Sequence, residues 1–277
     1  MGPSTNPFLK WAGGKGMVAD QIAAIVRARL HGRYFEPFLG GGAVFFALAP
    51  HPATLSDSNQ DLIETYIEVR DHLATVIRAL RKHVAEHSRE HYYQVRRALP
   101  RTAAARAARV IYLNHTCFNG LWRVNSKGEF NVPIGSYKTP KILDEDRLSA
   151  ASKALAGACI KAVGFQELLS DSENGPREGD VVYADPPYDP LSKTANFTSY
   201  TRSEFGEDQQ VALAAILTTL AKRGVTVVAS NSDTSLIKRE YPRDVFTRTT
   251  VMVPRAINSV GARRGRVPEL LLVSRQG

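Results

Sequence analysis

The sequence predicts an α/β fold: a doubly wound parallel sheet with an inserted, mainly helical segment. Three observations carry this expectation. Short apolar runs alternate with stretches of helical spacing, the pattern of strands joined by crossover helices. Two of those runs end in glycine- or proline-rich loops, where open parallel sheets hold their ligands. Between residues 58 and 150 the chain becomes polar and helix-forming, with turn signals near Gly120, Gly128 and Gly135. The expected division is a sheet domain of residues 1–57 and 151–277 around an insertion of residues 58–150.

Taken in order, Lys10-Trp11-Ala12-Gly13-Gly14-Lys15-Gly16 is a glycine-rich loop. It is not a P-loop, which would need glycine at position 9 and Ser or Thr at 16, where Leu9 and Gly16 stand. Its amides and lysine could hold the carboxylate of a methionine moiety. Tyr34–Leu39 reads as a strand, Gly40-Gly41-Gly42 as a turn and Ala43–Leu48 as the start of an apolar helix. The dinucleotide fingerprint would want a glycine at position 45, where Phe45 stands. The turn instead suits a nucleoside without pyrophosphate, such as S-adenosylmethionine, which needs close backbone approach and no anion cradle. Ala53–Ser56 reads as the next strand and ends in Asp57. A carboxylate there can accept two ribose hydroxyls or cap the following helix, and both readings stay open.

After the insertion, Ala162-Val163-Gly164 reads as a short strand with Phe165 beyond it. Val181–Ala184, preceded by the Gly179-Asp180 turn, reads as a buried strand that ends in Asp185-Pro186-Pro187-Tyr188. Leu213, Ile216, Leu217 and Leu220 mark the core-facing stripe of a helix that stops at Gly224. Val225–Ala229 is the next strand, followed by Ser230-Asn231 on the ligand side, and Pro268-Glu269 precedes a last strand at Leu270–Val273.

The Asp185–Tyr188 loop is the most informative stretch. It suits methyl transfer to an exocyclic amino nitrogen, whose lone pair is delocalised into a base ring. Acceptors at the Asp185 carboxylate and the Pro186 carbonyl can hold the two amino hydrogens and draw the nitrogen towards tetrahedral geometry. Two prolines lock two φ angles and so aim these acceptors in advance. Tyr188 offers a face on which a base can stack. A rigid turn after a strand is the plainer reading of the same four residues.

Composition narrows the class. At 277 residues and 43% hydrophobic, the chain can bury a large core. It shows no apolar run long enough to span a membrane and no signal-peptide pattern, and Met1–Asn6 reads as an unstructured lead-in. Cys117 and Cys159 lack metal-ligand spacing, so a reduced, cytoplasmic setting and no metal are expected. Net charge is +9. Residues 70–109 hold ten Lys/Arg against three acids, and residues 255–268 hold four arginines and no acid. Such runs fit a polyanion partner or a solvated helix face. His72, His83, His87 and His91 lie in the first run without an accompanying ligand pattern.

Together these residues resemble the DNA adenine N6-methyltransferase family of the Dam type. Phe8–Lys15 is similar to its N-terminal cofactor motif, Glu36–Gly42 to its glycine motif, Asp57 to its ribose acid and Asp185–Tyr188 to its catalytic motif. Pro190-Leu191-Ser192 through Ala195-Asn196-Phe197-Thr198 resembles its substrate loop. The most specific likeness runs from Asn119-Gly120-Leu121-Trp122-Arg123-Val124-Asn125 through Gly128–Pro133 to Tyr137-Lys138, similar to its DNA-recognition hairpin. Phe118 stands where a tyrosine is usual, and His115 where a basic residue is common.

The resemblance implies a Rossmann-like methyltransferase sheet of residues 1–57 and 151–277, with a target recognition domain of residues 58–150 that contains a β-hairpin. It implies transfer of a methyl group from S-adenosylmethionine to adenine N6 in duplex DNA, in GATC, by base flipping and direct in-line transfer. No metal and no covalent intermediate are implied. Asp185, Pro186, Pro187 and Tyr188 would be catalytic. Trp11, Ala12, Gly13, Lys15, Glu36, Pro37, Phe38, Gly40, Gly42, Asp57, Phe165 and Asp185 would bind cofactor, although Phe165 also fits a plain core position. Lys10, Asn119, Leu121, Arg123, Asn125, Asn131, Pro133, Tyr137 and Lys138 would bind DNA. Lys10 and Arg123 would read the two outer guanines, Leu121 and Pro133 would pack on a thymine methyl, and Asn119 and Tyr137 would wedge into the opened stack. A monomer acting in the cytoplasm, at the nucleoid, is the accompanying expectation. An RNA or protein amide methyltransferase, or a DNA-binding regulator without turnover, are the alternatives.

Overall fold

The computed structural model describes residues 5–11, 13, 15, 18–190, 205–254 and 266–275. Ala12, the substrate-loop stretch from Leu191 to Thr198 and the arginines at 255, 263 and 264 lie outside the described residues. In chain order the elements begin with α1 (Ala19–Arg27), β1 (Tyr34–Glu36), α2 (Ala43–Leu48) and β2 (Ala53–Ser56). A run of helices follows: α3 (Gln60–Asp71), α4 (Leu73–Ala85), α5 (Arg89–Arg97), α6 (Ala103–Thr116) and α7 (Glu145–Leu155). The chain then forms β3 (Cys159–Lys161), α8 (Phe165–Leu169), β4 (Val181–Ala184) and α9 (Glu207–Lys222). It closes with β5 (Thr226–Ser232), α10 (Ser235–Glu240), β6 (Phe246–Pro254) and β7 (Arg266–Ser274). Two compact units emerge: Met1–Ala19 with Gly40–His51 and Asp57–Ala162, and Asp20–Leu39 with Pro52–Ser56 and Val163–Gly277.

The second unit carries strands in the order β2-β1-β4-β5-β7-β6. β2, β1, β4 and β5 are parallel, with Tyr34 opposite Val181 and Val181 opposite Thr226, so their carboxyl ends share one edge. All residues of β4 and β5 are buried, which is why β4 reads as a continuous apolar run and not as an alternation. On one face Phe35, Val182, Ala184, Val227 and Ala229 pack with Leu213, Leu217 and Leu220 of α9 and with Phe165, Leu168 and Leu169 of α8. Ile216 of the expected stripe packs against this cluster from a half-buried position. Glu207 and Asp208 sit in the first turn of α9, favourable at the positive end of its dipole.

Several elements depart from expectation. β1 stops at Glu36 because Pro37 has no N–H to offer a neighbouring strand. The strand expected at Ala162–Gly164 lies at Cys159–Lys161, and Gly164 serves as the cap from which α8 starts at Phe165. Ser230 and Asn231 lie inside β5, not beyond it. β7 is longer than Leu270–Val273 and runs antiparallel to both β5 and β6, so the last part of the sheet is a hairpin addition to the parallel part.

The first unit is mainly helical. α6 packs against α3, α4 and α5, and its buried Ala104, Ala107 and Ala108 allow close helix approach. Side chains of Asn59, Ser88 and Asp144 accept backbone N–H bonds at the starts of α3, α5 and α7. After α6 the chain makes a 3₁₀ turn, Phe118–Gly120, and then a small antiparallel hairpin in which Val124 faces Phe130. Gly128, at φ 78, closes its turn through N–H donation to Asn125 O at 2.9 Å. Among the described residues no helix is long and apolar enough to cross a membrane.

Candidate functional site

In the second unit, three chain segments leave the shared carboxyl edge of the parallel strands. Glu36-Pro37-Phe38 follows β1, Asp185–Tyr188 follows β4, and Ser230–Ser232 ends β5. Glu36 is buried and accepts the Tyr34 hydroxyl at 2.8 Å. Burial, and then the Glu36 carboxylate, hold the Tyr34 hydroxyl well above its usual range, so it stays a donor. Tyr183, one residue before the loop, is likewise raised by burial first and by Asp185 second, and its hydroxyl meets Ser230 Oγ at 3.2 Å.

The Asp185–Tyr188 loop is held from outside itself. Gln210 Nε2 of α9 donates to Pro187 O at 2.7 Å, and Asn231 Oδ1 of β5 accepts Asp189 N–H at 3.1 Å. The two amides join each other, Asn231 Nδ2 donating to Gln210 Oε1 at 2.9 Å. Tyr188 donates its hydroxyl to Glu269 Oε2 of β7 at 2.9 Å. Burial, then Asp185 and Glu269, push the Tyr188 hydroxyl far upward, so it too remains protonated. Phe38 stacks on Phe165 at 5.5 Å and 29°, and Phe205 meets both rings at 5.5 and 5.7 Å. Phe165 is thus a core residue and also a wall of an aromatic group beside the β1 end.

In the first unit, Gly40 and Gly42 have φ of 47° and 66°, which favours glycine at both. Asp57 accepts N–H bonds from Gly40 and Asn59, each at 3.0 Å, so its carboxylate supports the glycine turn. Asn59, not Asp57, is the cap of α3. Burial outweighs these two bonds and raises the Asp57 carboxyl above its ordinary value. Trp11 lies against Gly40, where an added Cβ would come 2.8 Å from Trp11 Cδ1. Lys15 is buried and donates from Nζ to Gly13 O at 3.3 Å. The expected cofactor set is therefore shared out: Trp11, Gly13, Lys15, Gly40, Gly42 and Asp57 belong to one unit, and Glu36, Pro37, Phe38, Phe165 and Asp185 to the other.

All nine residues expected on DNA belong to the first unit. Asn119 (φ 54) and Gly120 (φ 64) follow one another in left-handed conformation, which turns Asn119 outward. Arg123 is exposed, and its Nε donates to Asn131 Oδ1 at 2.8 Å. Asn125 is spent inside the turn: Oδ1 accepts N–H from Lys127 and Glu129, and Nδ2 donates to Glu129. Leu121 is half-buried, while Pro133, Tyr137 and Lys138 are exposed. Lys10 is exposed, with Nζ 4.6 Å from the centre of the Tyr137 ring. Sequence reasoning missed what holds this surface together. Asn114, fully buried on α6, accepts Lys10 N–H at 2.8 Å and donates to Lys10 O at 2.6 Å and Gly120 O at 3.2 Å. Trp122 stacks on Trp11 at 6.1 Å. The only advance signal for Asn114 was a polar residue directly after the apolar run Val110–Leu113. Among the described residues no cluster of three or more His, Cys, Asp or Glu could hold a metal ion.

Comparison with known proteins bears on these features. Residues 11–257 match the family model of D12 class N6 adenine-specific DNA methyltransferases. The chain is 37% identical to the type II methyltransferase M1.LlaDCHI of Lactococcus lactis subsp. cremoris, over 97% of this chain and 95% of that one. It is 39% identical to M.MjaIII of Methanocaldococcus jannaschii, over 97% and 99%. It is 38% identical to the DNA adenine methylase of Escherichia coli K12, over 98% and 95%. The chain belongs to the D12 class of N6 adenine-specific DNA methyltransferases.

Proposed function

We propose that this methyltransferase takes its methyl group from S-adenosylmethionine and delivers it to the adenine of duplex GATC, flipped out of the helix, by direct in-line transfer. The observation that carries the reading is the Asp185–Tyr188 loop, which leaves the carboxyl end of β4 and is braced from three neighbouring elements. Rigid acceptors aimed before the substrate arrives are worth more than mobile ones, because no reorganisation is needed as charge develops.

Roles follow residue by residue. Asp185 and the Pro186 carbonyl hold the adenine amino hydrogens, Pro187 stiffens the loop and Tyr188 stacks on the extruded base. Extrusion costs a few kcal/mol, offset by such contacts. S-adenosylmethionine supplies an electrophilic methyl group on a sulfonium. Each unit by itself offers groups of the kind such a nucleoside needs: in the first, an Asp57 carboxylate with lone pairs beyond its two backbone bonds and a glycine turn; in the second, the Phe38–Phe165 pair for an adenine ring. Trp11, Ala12, Gly13, Lys15, Glu36, Pro37, Gly40 and Gly42 complete that set. Lys10 and Arg123 read guanines, Leu121 and Pro133 pack on thymine, Asn119 and Tyr137 fill the opened stack, and Asn125, Asn131 and Lys138 support the surface. In this reading residues 58–150 recognise the target, residues 1–57 and 151–277 catalyse, and the protein acts as a monomer on cytoplasmic DNA.

The test is tritiated-methyl transfer to matched duplexes with and without GATC, repeated with Asp185→Ala. The reading expects transfer to the GATC duplex and a loss of about a hundredfold or more in the variant, with DNA affinity within a few-fold. Transfer chiefly outside GATC overturns the target. A variant that keeps more than about a tenth of the single-turnover rate overturns the role of Asp185.

A further inference from the structure

Tyr188 is flanked by two peptide groups, and both are tied down by side chains far away in sequence. The Pro187 carbonyl precedes it and accepts from Gln210 Nε2 at 2.7 Å. The Asp189 N–H follows it and donates to Asn231 Oδ1 at 3.1 Å. Gln210 and Asn231 are linked head to tail at 2.9 Å, so the four groups form one closed ring of hydrogen bonds. The pair offers the loop one donor and one acceptor, as the backbone of a neighbouring strand would. Both amides are buried, at 2% and 1% exposure, where an unmet donor or acceptor costs more than in water. The tyrosine hydroxyl is fixed separately, by Glu269 Oε2 at 2.9 Å. Backbone planes and ring tip are thus held at three points.

We propose that Gln210, Asn231 and Glu269 are positioning residues for methyl transfer, acting through Tyr188. Gln210 and Asn231 set the backbone dihedrals of Tyr188, and Glu269 sets the direction of its ring. The inference rests on the reading of Asp185–Tyr188 as the catalytic loop. None of the three needs to touch a base or a cofactor. They act on turnover and leave binding alone, because a misaimed stacking platform harms the reacting geometry before it harms the contact area.

Gln210→Glu gives a readout that a packing role lacks. Its ionised carboxylate can still accept from Asn231, but it faces the Pro187 carbonyl without a proton to donate. Its protonated form restores the ring. Single-turnover rates with a duplex carrying the unmethylated target site, divided by wild-type rates at each pH, should fall tenfold or more from mildly acidic to alkaline pH. DNA and S-adenosylmethionine affinities should stay within about twofold. A flat ratio near one overturns the backbone clamp. A flat, low ratio with unchanged melting temperature overturns it as well, since the missing proton would then not be the cause.

For the ring tip, the test is a double-mutant cycle of Glu269→Ala and Tyr188→Phe. Each alone should slow transfer severalfold, and the double variant should be no slower than the worse single one. Full additivity overturns the role of Glu269. These outcomes are separable from the loop assignment itself: an active Asp185→Ala removes the premise, whereas an inactive Asp185→Ala with wild-type behaviour of the Gln210 and Glu269 variants removes only this inference.

Discussion

Asn114→Ala should loosen both ends of the DNA-reading surface at once. The wild-type amide makes three hydrogen bonds, to Lys10 N–H, Lys10 O and Gly120 O, from a side chain with no solvent exposure. Each is worth about 1 kcal/mol net, and a partner left unmet in a buried setting costs about 1–3 kcal/mol. Water can reach Lys10, which is exposed, but less easily the Gly120 carbonyl in its buried residue. The total comes to about 2–4 kcal/mol, or, for a chain of 277 residues, a melting temperature lower by roughly 3–7 °C. Calorimetry or urea titration of wild type and variant measures it. Asn114→Asp sharpens the argument: a carboxylate keeps the bond from Lys10 N–H but turns two donated bonds into oxygen–oxygen contacts. It should therefore be at least as damaging at neutral pH and recover partly in acid. An Asn114→Ala protein within about 1 kcal/mol of wild type would refute the view that this amide ties Lys10 to the 119–123 turn.

Asp57→Ala should weaken S-adenosylmethionine binding by tenfold or more, through lost ribose acceptors and a loosened Gly40 turn; unchanged affinity by titration calorimetry removes the ribose role. Arg123→Ala should cost about 1–3 kcal/mol of discrimination at one guanine and spare other positions. Because Asn131 engages only Nε and leaves the fork of Nη groups to the base, Asn131→Ala should lose part of the same discrimination; even weakening across all sequences, with the salt slope lowered by about one, would mark Arg123 as a phosphate contact. His83 gives a pH prediction. Burial, then the charge of His91, lowers its value to about 4, against about 6.5 for an unfolded chain. Between these values the unfolded chain binds a proton that the folded one refuses, so stability falls as pH drops from about 6.5 to about 4. The full window is about 3 kcal/mol, reduced to about 1–2 kcal/mol by partial solvent screening. His83→Asn should flatten the acid limb of stability by that amount, and parallel limbs for the two proteins would count against it.

Much of the parallel sheet was legible in the sequence because its signals are local. β2, β4 and α2 lie at Ala53–Ser56, Val181–Ala184 and Ala43–Leu48, as their apolar runs and bounding turns predict. β6 was not legible: its exposed Thr247, Thr249 and Thr250 and the arginine at 248 give no clean alternation of an edge strand. The glycine turn and the Asp-Pro-Pro-Tyr loop could be found because backbone constraint is written in the residues themselves. Their supports could not. Gln210 looks like a polar residue near a helix start, and Glu269 like a charge before a strand. Each acquires meaning only from a partner 23 or 81 residues away. Asp57 shows the intermediate case: the sequence offered a ribose acceptor or a helix cap, and the side chain is found bracing Gly40, a third use that spacing could not suggest.

The fit of Trp11 against the glycine turn has a practical consequence. A Cβ at Gly40 would come 2.8 Å from its indole, and one at Gly41 would come 3.1 Å from its Cβ. Gly40 O also accepts from Tyr66, so the turn cannot simply back away. The two stretches are therefore interlocked in shape although some thirty residues of chain separate them. A chimaera that imports the N-terminal loop of a relative should import residues 40–42 in the same exchange. Random libraries that vary either stretch alone will mostly sample steric mismatch, whereas libraries that vary both together can reach new nucleoside preferences.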